Sequence, residues 1–346
     1  MNGRSDARTS TPRLGVLVEF VAGQEYAEQL DAWAALSSRA EHAGFESIWV
    51  PEGFAQGGHS SNPPSALIIA AALAARTRLQ IGTGIVLLPA AHPLRLAYET
   101  ALVDRISGGR LHLGVGMGDA ALMRRFGTAW ATAGRQADET LAALRALWSG
   151  ADGFHGEIVR IEGGITPLPA RPGGPPIWVG GYLRRTLERA VRHGDAFYFG
   201  SASTLPIVKR IARDYRAALA GAGRDPATAR IAVNRFAVVA PTDEEARDVA
   251  RETVAPFLQR YAASGSVRDG SGPRDLSRDA AFAELEADMT LVGSPETVAR
   301  RVRAYADAGV TDVHLRVRMG GTPDDVATRT IELVGRHIQA ALSDRV

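Results

Sequence analysis

Eight short apolar runs, each followed by a stretch whose apolar residues recur at helical spacing, predict an α/β fold of parallel strands alternating with helices. Two further observations close that sheet into a (β/α)₈ TIM barrel with insertions. The runs lack polar alternation, as expected of strands buried on both faces. Eight such units within 346 residues also match the span of a single barrel domain. An open doubly wound sheet is the alternative for the same alternation.

The first run, RLGVLVE at 13–19, precedes a helix over 26–43, where Leu30, Trp33, Leu36 and Ala40 share a face before the stop signal Gly44. Residues 47–50 form the second strand and 64–75 an Ala-rich helix. The third strand spans 79–88 with helix 93–106 after it, and the fourth spans 110–115 with helix 139–148. The fifth, 177–179, closes on Gly180-Gly181 and leads into helix 183–192. The sixth, 196–199, ends at Gly200 before helix 205–219. The seventh is 231–239, with helix 243–261. A Ser-Pro-Glu start and a Gly309 stop mark helix 294–308; the eighth strand is 312–317 and the last helix 323–342. Two segments break the repeat. Residues 153–169 read as a small inserted hairpin, and 262–284, rich in Gly, Arg and Asp, as a loop or short helices. Long insertions of this kind often serve as lids. Residues 1–12 read as a disordered polar tail, leaving 13–346 as one barrel domain.

Forty basic and 38 acidic residues are interspersed, with a net charge of +2. No basic stripe or aromatic platform is present, so nucleic acid is not an expected partner. All basic residues except Lys209 are Arg, a sign of a GC-rich genome rather than of chemistry. The chain has no Cys, hence no disulfide and no thiolate nucleophile. No apolar run reaches the ~18 residues of a membrane span, and none resembles a signal peptide. The expectation is a soluble cytoplasmic protein that does not engage membranes.

In such a barrel the chemistry lies just past the carboxyl ends of the strands. That rule selects Phe20, Glu52-Gly53-Phe54, Leu87-Leu88, Met117-Gly118-Asp119, Gly180-Gly181-Tyr182, Gly200-Ser201, and Arg316, Arg318 and Met319. The set is mostly glycine, aromatic and apolar. It suits a flat aromatic ligand carrying a phosphate better than hydrolysis by a polar triad. Gly180-Gly181 opening a helix, with Arg184 and Arg185 next, is a phosphate cradle in which helix amides meet the anion; a plain strand-to-helix turn is the plainer reading. Glu52 and His59 are the candidate catalytic residues: Glu52 as an ionisable group at a strand end, with bonding to backbone amides as its structural alternative, and His59 in the loop after strand two, facing a ligand or solvent. His92 reads as a helix-start residue. His42, His193 and His337 read as surface or packing residues and His112 as a core residue. GVGMGD at 114–119 has Asp where a dinucleotide fingerprint needs its last glycine. No phosphate-binding Gly-Lys-Ser/Thr loop, HExxH or G-x-S-x-G motif occurs, and no metal site is expected.

Five blocks carry a resemblance: GFESIWVPE (44–52), IGTGIVLLPAAHPLRLAYETALVDRISGGRLHLGVGMG (81–118), PPIWVGGY (175–182), HGDAFYF (193–199) and LVGSPETVARRVRAYADAGVTDVHLRV (291–317). In this order they resemble the bacterial luciferase-like superfamily of flavin- and deazaflavin-dependent oxidoreductases. The resemblance implies a (β/α)₈ barrel with a flavin-type ring at the strand ends. It implies a bulge and a non-proline cis peptide around Thr83-Gly84-Ile85, with Met117 and Gly118 beside the ring or ribityl chain. Gly180, Gly181, Gly200 and Ser201 match positions near the phosphate. Where many flavin members read Glu-His-His, this chain reads Glu52-Gly53-Phe54, so Phe54 closes the pocket or His59 reaches in.

Three functions follow from the resemblance. The first is an FMN-dependent monooxygenase supplied with reduced FMN by a separate flavin reductase, as the lack of a second nucleotide fingerprint suggests. The second is an F420-dependent oxidoreductase transferring hydride, with Arg184, Arg185 or loop arginines available for an acidic tail. The third is a flavin-binding barrel without turnover. Phe20, Phe54, Trp130, Tyr182 and Phe236 point to an apolar small-molecule substrate. A homodimer is implied, with the Ala-rich helix 64–75 as a candidate contact.

Overall fold

The computed structural model describes residues 11–21, 23–54, 62–319 and 321–338. The expected tail therefore falls almost wholly outside the described residues, as does His59. Eight parallel strands close into a ring: β1 (Arg13–Leu17), β2 (Ser47–Val50), β3 (Gln80–Thr83), β4 (Leu111–Gly116), β5 (Ile177–Gly180), β6 (Ala196–Phe199), β7 (Arg230–Val239) and β8 (Asp312–Arg316). Each pairs with its neighbours in sequence, and β8 pairs back onto β1 with Arg13 opposite Asp312. The fold is the (β/α)₈ barrel the alternation predicts. Among the described residues no helix is long and apolar enough to cross a membrane.

The barrel interior is aromatic. Leu17, Trp49, Trp178, Ala196, Tyr198 and Ala232 form one inner cluster. His314 stacks on Trp49 at 4.3 Å, and Trp178 Nε1 donates to His112 Nδ1 at 3.1 Å. Glycine makes room for these rings: a Cβ on Gly82 would lie 2.2 Å from the Trp49 indole. Inward positions alternate along each strand, and β8 places Asp312, His314 and Arg316 in successive layers.

The amino-terminal end of the barrel is tied by charge. Asp312 accepts from Arg13 Nε at 3.0 Å and Nη2 at 3.2 Å, from Arg230 Nη2 at 2.6 Å, and from Thr311 Oγ1 at 2.6 Å. Burial opposes ionisation of Asp312, but the Arg13 hydrogen bond and the charges of Arg230 and Arg13 hold its carboxyl at about 2. Arg110 adds a second tie, donating to the carbonyls of Ala74, Thr77, Leu79 and Ser107.

Several elements differ from the sequence expectation. The third strand is not continuous over 79–88. It stops at Thr83, passes through a cis Gly84–Ile85 bond, as the family resemblance implies, resumes as Val86–Leu87 against β4, and turns at Leu88–Ala90. The helix expected over 139–148 starts at Trp130, because small residues at 131–137 mask its periodicity. A short helix, Ala120–Arg125, opens where Asp119 Oδ1 accepts from Leu122 N at 2.8 Å. The helix expected over 243–261 divides at Val254, where Pro256 interrupts the backbone ladder.

The hairpin is present, with Gly153–His155 antiparallel to Arg160–Glu162. The second insertion is more ordered than expected. It continues into the helix Arg278–Met289 and the strand Thr290–Gly293. The reason lies in β7, which at ten residues runs beyond the ring. Its outer half, Phe236–Val239, would leave backbone groups unpaired, and Thr290–Gly293 pairs with them. Phe236, Val238, Leu258, Phe282, Leu285 and Met289 belong to a second core under this extension.

Candidate active site

The carboxyl ends of the strands gather most of the residues selected from sequence. Glu52, past β2, is half-buried; Oε1 accepts from Leu87 N at 3.0 Å and Oε2 from Ala66 N at 3.2 Å. Burial raises its pKa, and the two backbone hydrogen bonds work against that rise. Thr83 is buried, its hydroxyl donating to Gly114 O at 2.8 Å. Gly84 lies against the Tyr198 hydroxyl, which a Cβ there would meet at 2.9 Å. Ile85 turns its side chain across the rim toward Gly116 and Gly180. Met117 is half-buried on the main core, and Gly118 is exposed with φ +64°.

Gly181 N donates to Tyr198 O at 3.1 Å, fixing the turn that opens the helix Arg184–His193. No side chain caps that helix. Ser65, Asp119, Thr242, Ser277 and Ser294 cap the helices they open, whereas Tyr26–His42, Pro93–Ile106, Trp130–Trp148, Leu205–Gly221, Ala255–Ala263 and Asp324–Leu333 likewise have no side-chain cap, so what sets Arg184–His193 apart is the Gly180-Gly181 turn before it. An uncapped amino terminus beside two glycines presents amides and positive potential to an anion. Arg184 pairs with Glu188 at 3.0 Å and is largely exposed.

Phe54 packs on Phe126 at 4.7 Å between ring centroids. Phe20 is buried in the main core against Tyr26 at 5.0 Å, so its ring supports the wall from behind. Phe236 is likewise buried, whereas Trp130 is exposed at the start of its helix. Tyr182 lies under the Arg268 guanidinium, 3.8 Å from its ring centre. Arg268 belongs to the second insertion, whose backbone docks on the end of β6: Arg268 N donates to Ala202 O at 2.9 Å, and Thr204 Oγ1 to Arg268 O at 3.3 Å. The insertion thus reaches the rim beside Gly200 and Ser201.

Sequence reasoning missed a fully buried charged group of the mouth. Glu19 pairs with Arg316 through Nε at 3.2 Å and through Nη2. Arg316 Nη1 donates to Ser201 Oγ at 3.2 Å, and Ser201 Oγ lies 2.9 Å from Tyr261 OH. The Arg316 guanidinium sits 4.5 Å from the Phe236 ring centre and 5.7 Å from that of Phe257. Burial acts to discharge Arg316, but Glu19 and then Tyr261 hold the proton more strongly, and the net shift is upward. The available signal was Glu19 itself, an acid at the end of an otherwise apolar strand.

These residues fit a phosphate-bearing planar cofactor on three observations. The helix Arg184–His193 is uncapped. A Cβ on Gly200 would meet nothing within 4 Å, so backbone is open to an approaching group there. One oxygen of buried Glu19 has no hydrogen-bond partner.

A glycine-rich rim on a (β/α)₈ barrel, with few free ionisable groups, suits a bound cofactor better than hydrolysis by a polar triad. The chain matches the luciferase-like monooxygenase family over residues 13–312 and belongs to it. It is therefore an enzyme of the flavin-dependent oxidoreductase class. It is 28% identical to a 5,10-methylenetetrahydromethanopterin reductase of Archaeoglobus fulgidus, over 93% of this chain and 97% of the relative. It is 27% identical to an FMNH(2)-dependent dimethylsulfone monooxygenase of Pseudomonas putida, over 86% and 85%. Among solved structures, monooxygenase RslO1 of Streptomyces bottropensis superposes with a TM-score of 0.81 at 25% identity, covering 95% of this chain and 99% of that one.

Proposed function

We propose that the protein is an FMN-dependent monooxygenase, the oxygenase of a two-component system to which a separate flavin reductase delivers reduced FMN. The uncapped helix at Gly180-Gly181, facing a rim of glycine and aromatic residues, carries this reading. The FMNH(2)-dependent relative and the monooxygenase structure support it. When bound, reduced FMN supplies the two electrons with which O₂ is divided between a small organic substrate and water.

The chain's own residues bind, orient and exclude water. Gly180, Gly181 and the amides at the start of Arg184–His193 hold the phosphate, with Gly200 and Ser201 on its other side. Thr83, Gly84, Met117 and Gly118 border the ring. The Thr83 hydroxyl keeps β3 rigidly seated on β4. Phe54 with Phe126, and Phe257 and Tyr261 from the far wall, keep bulk water from the reacting face. Glu52 braces the rim, since both its oxygens already accept backbone amides. Tyr182 and Arg268 place the insertion over the phosphate end, where it acts as a lid.

A second reading has one observation in its favour. The archaeal reductase aligns over nearly its whole length, and Arg268 offers a cation beside the phosphate end, where the acidic tail of F420 would extend. Hydride transfer without O₂ would then be the reaction. Titration of the cofactor-free protein with FMN, anaerobically reduced FMN and F420 separates the readings. Reduced FMN is expected to bind in the micromolar range or tighter. Micromolar binding of F420 with no binding of either form of FMN overturns the monooxygenase reading.

A homodimer is part of the proposal. Ile68 on the helix Ala66–Ala74, and Tyr98, Leu102 and Ile106 on Pro93–Ile106, are exposed apolar side chains on neighbouring helices. Light scattering is expected to give twice the chain mass, and Leu102→Glu to halve it.

A further inference from the structure

The mouth holds two glutamates that are engaged differently. Glu52 has a backbone amide on each oxygen. Glu19 stands two residues past β1, on the inward face that Leu17 shares. No part of its side chain reaches solvent. Arg316 binds Oε1 alone, and Oε2 is buried without a hydrogen-bond partner among the described residues. Buried carboxylate oxygens normally have donors, so this one has room for a donor that the described residues do not supply. The surroundings indicate the direction. Arg316 reaches Ser201, Ser201 meets Tyr261, and Gly200 beside them is open backbone at the rim. Glu19 is thus the inner end of a polar chain whose outer end is the cofactor rim.

We propose that Glu19 Oε2 is a cofactor-binding group, accepting a hydrogen bond from an N–H or O–H of the bound flavin or deazaflavin, with Arg316, which holds Oε1, as the positioning residue that aims the carboxylate. The proposal rests on the cofactor reading above and adds a contact to it. Phe257 and Tyr261, on the helix Ala255–Ala263, lie beside Arg316, so this helix borders the proposed contact.

The test is a set of equilibrium titrations with FMN, anaerobically reduced FMN and F420, following the visible spectrum of the bound chromophore. Wild type is compared with Glu19→Gln and with the double variant Glu19→Leu/Arg316→Met, and a thermal melt of each cofactor-free protein reports folding. Glu19→Gln leaves Arg316 without its counter-ion. The double variant removes both charges at similar volume and carries the test if the single variant unfolds. Wild type is expected to bind one of the three with a spectrum shifted from that of the free compound. Each folded variant is expected to bind it at least about tenfold more weakly and without the shift. A folded variant with the wild-type Kd and spectrum overturns the proposal and leaves the cofactor reading standing. Failure of wild type to bind any of the three overturns the cofactor reading, and this proposal with it.

Discussion

At the amino-terminal end of the barrel Asp312 accepts from Arg13, Arg230 and Thr311, whereas four residues further along the same strand Arg316 faces a Glu19 that is bonded on one oxygen and bare on the other. Both carboxylates are buried and both face arginine. Both oxygens of Asp312 have donors within the chain. The upper end leaves one donor position to be filled. With the binding role proposed for Glu19, one strand serves stability at its start and binding at its finish, in line with the division of labour between the two faces of such barrels.

Acid tests the layers between these ends most severely. Burial, with repulsion from Arg230 and Arg171, depresses His112 to about 3; burial likewise depresses His314 to about 3, against the pull of Asp312. Both stay neutral in the folded chain, while the unfolded chain protonates them near pH 6.5. The unfolded state thus binds more protons between those values, and stability falls as pH drops from about 6.5 toward 3, by up to ~1.4 kcal/mol per pH unit for each histidine. Asp312 adds a loss in the same direction, beginning near pH 3.8 and ending near its folded value of about 2. Urea unfolding at a series of pH values should show this slope, and His314→Asn should reduce it by about one proton.

Removing the lower carboxylate is the next largest effect. Asp312→Asn is expected to cost roughly 2–4 kcal/mol, less than a fully buried pair would, because Arg13 and Arg230 are partly exposed. Cofactor affinity of the folded variant should stay at the wild-type value; a loss comparable to that of the Glu19 variants would erase the distinction between the ends. Gly82→Ala places a methyl against Trp49 and should cost about 1–3 kcal/mol by overpacking, read as a lower melting temperature. Arg184→Ala should change least. Its exposed pair with Glu188 is worth roughly 0.3–0.5 kcal/mol, and if backbone amides hold the phosphate, cofactor Kd should move by less than about threefold.

The ring was legible because its strands are unbroken apolar runs closed by glycine, and because Ser294-Pro295-Glu296 and Gly309 mark helix ends by local chemistry. The rim residues were legible for the same reason, since position past a strand end is a property of sequence order. What stayed hidden depends on tertiary pairing. Thr290–Gly293 is only four residues long and becomes a strand because β7 overruns the ring. The break after Thr83 lies inside a run that periodicity reads as continuous; only the family resemblance pointed to it, through the cis peptide expected around Thr83-Gly84-Ile85 and found at Gly84–Ile85. Bonding of Glu52 to backbone amides was foreseen from its strand-end position, but which amides, Leu87 and Ala66, and the missing donor on Glu19 are relations between distant segments that no local pattern records.

Hydrogen–deuterium exchange with and without anaerobically reduced FMN tests the contrast between the two ends most directly. The account predicts added protection at the strand ends and the turns after them, around residues 82–88, 116–119, 180–186 and 199–204. It also predicts added protection in the insertion at 257–268, with no change around Arg13, Arg110, Arg230 and Asp312. Protection at the amino-terminal end instead, or binding with no protection at the rim, would contradict it.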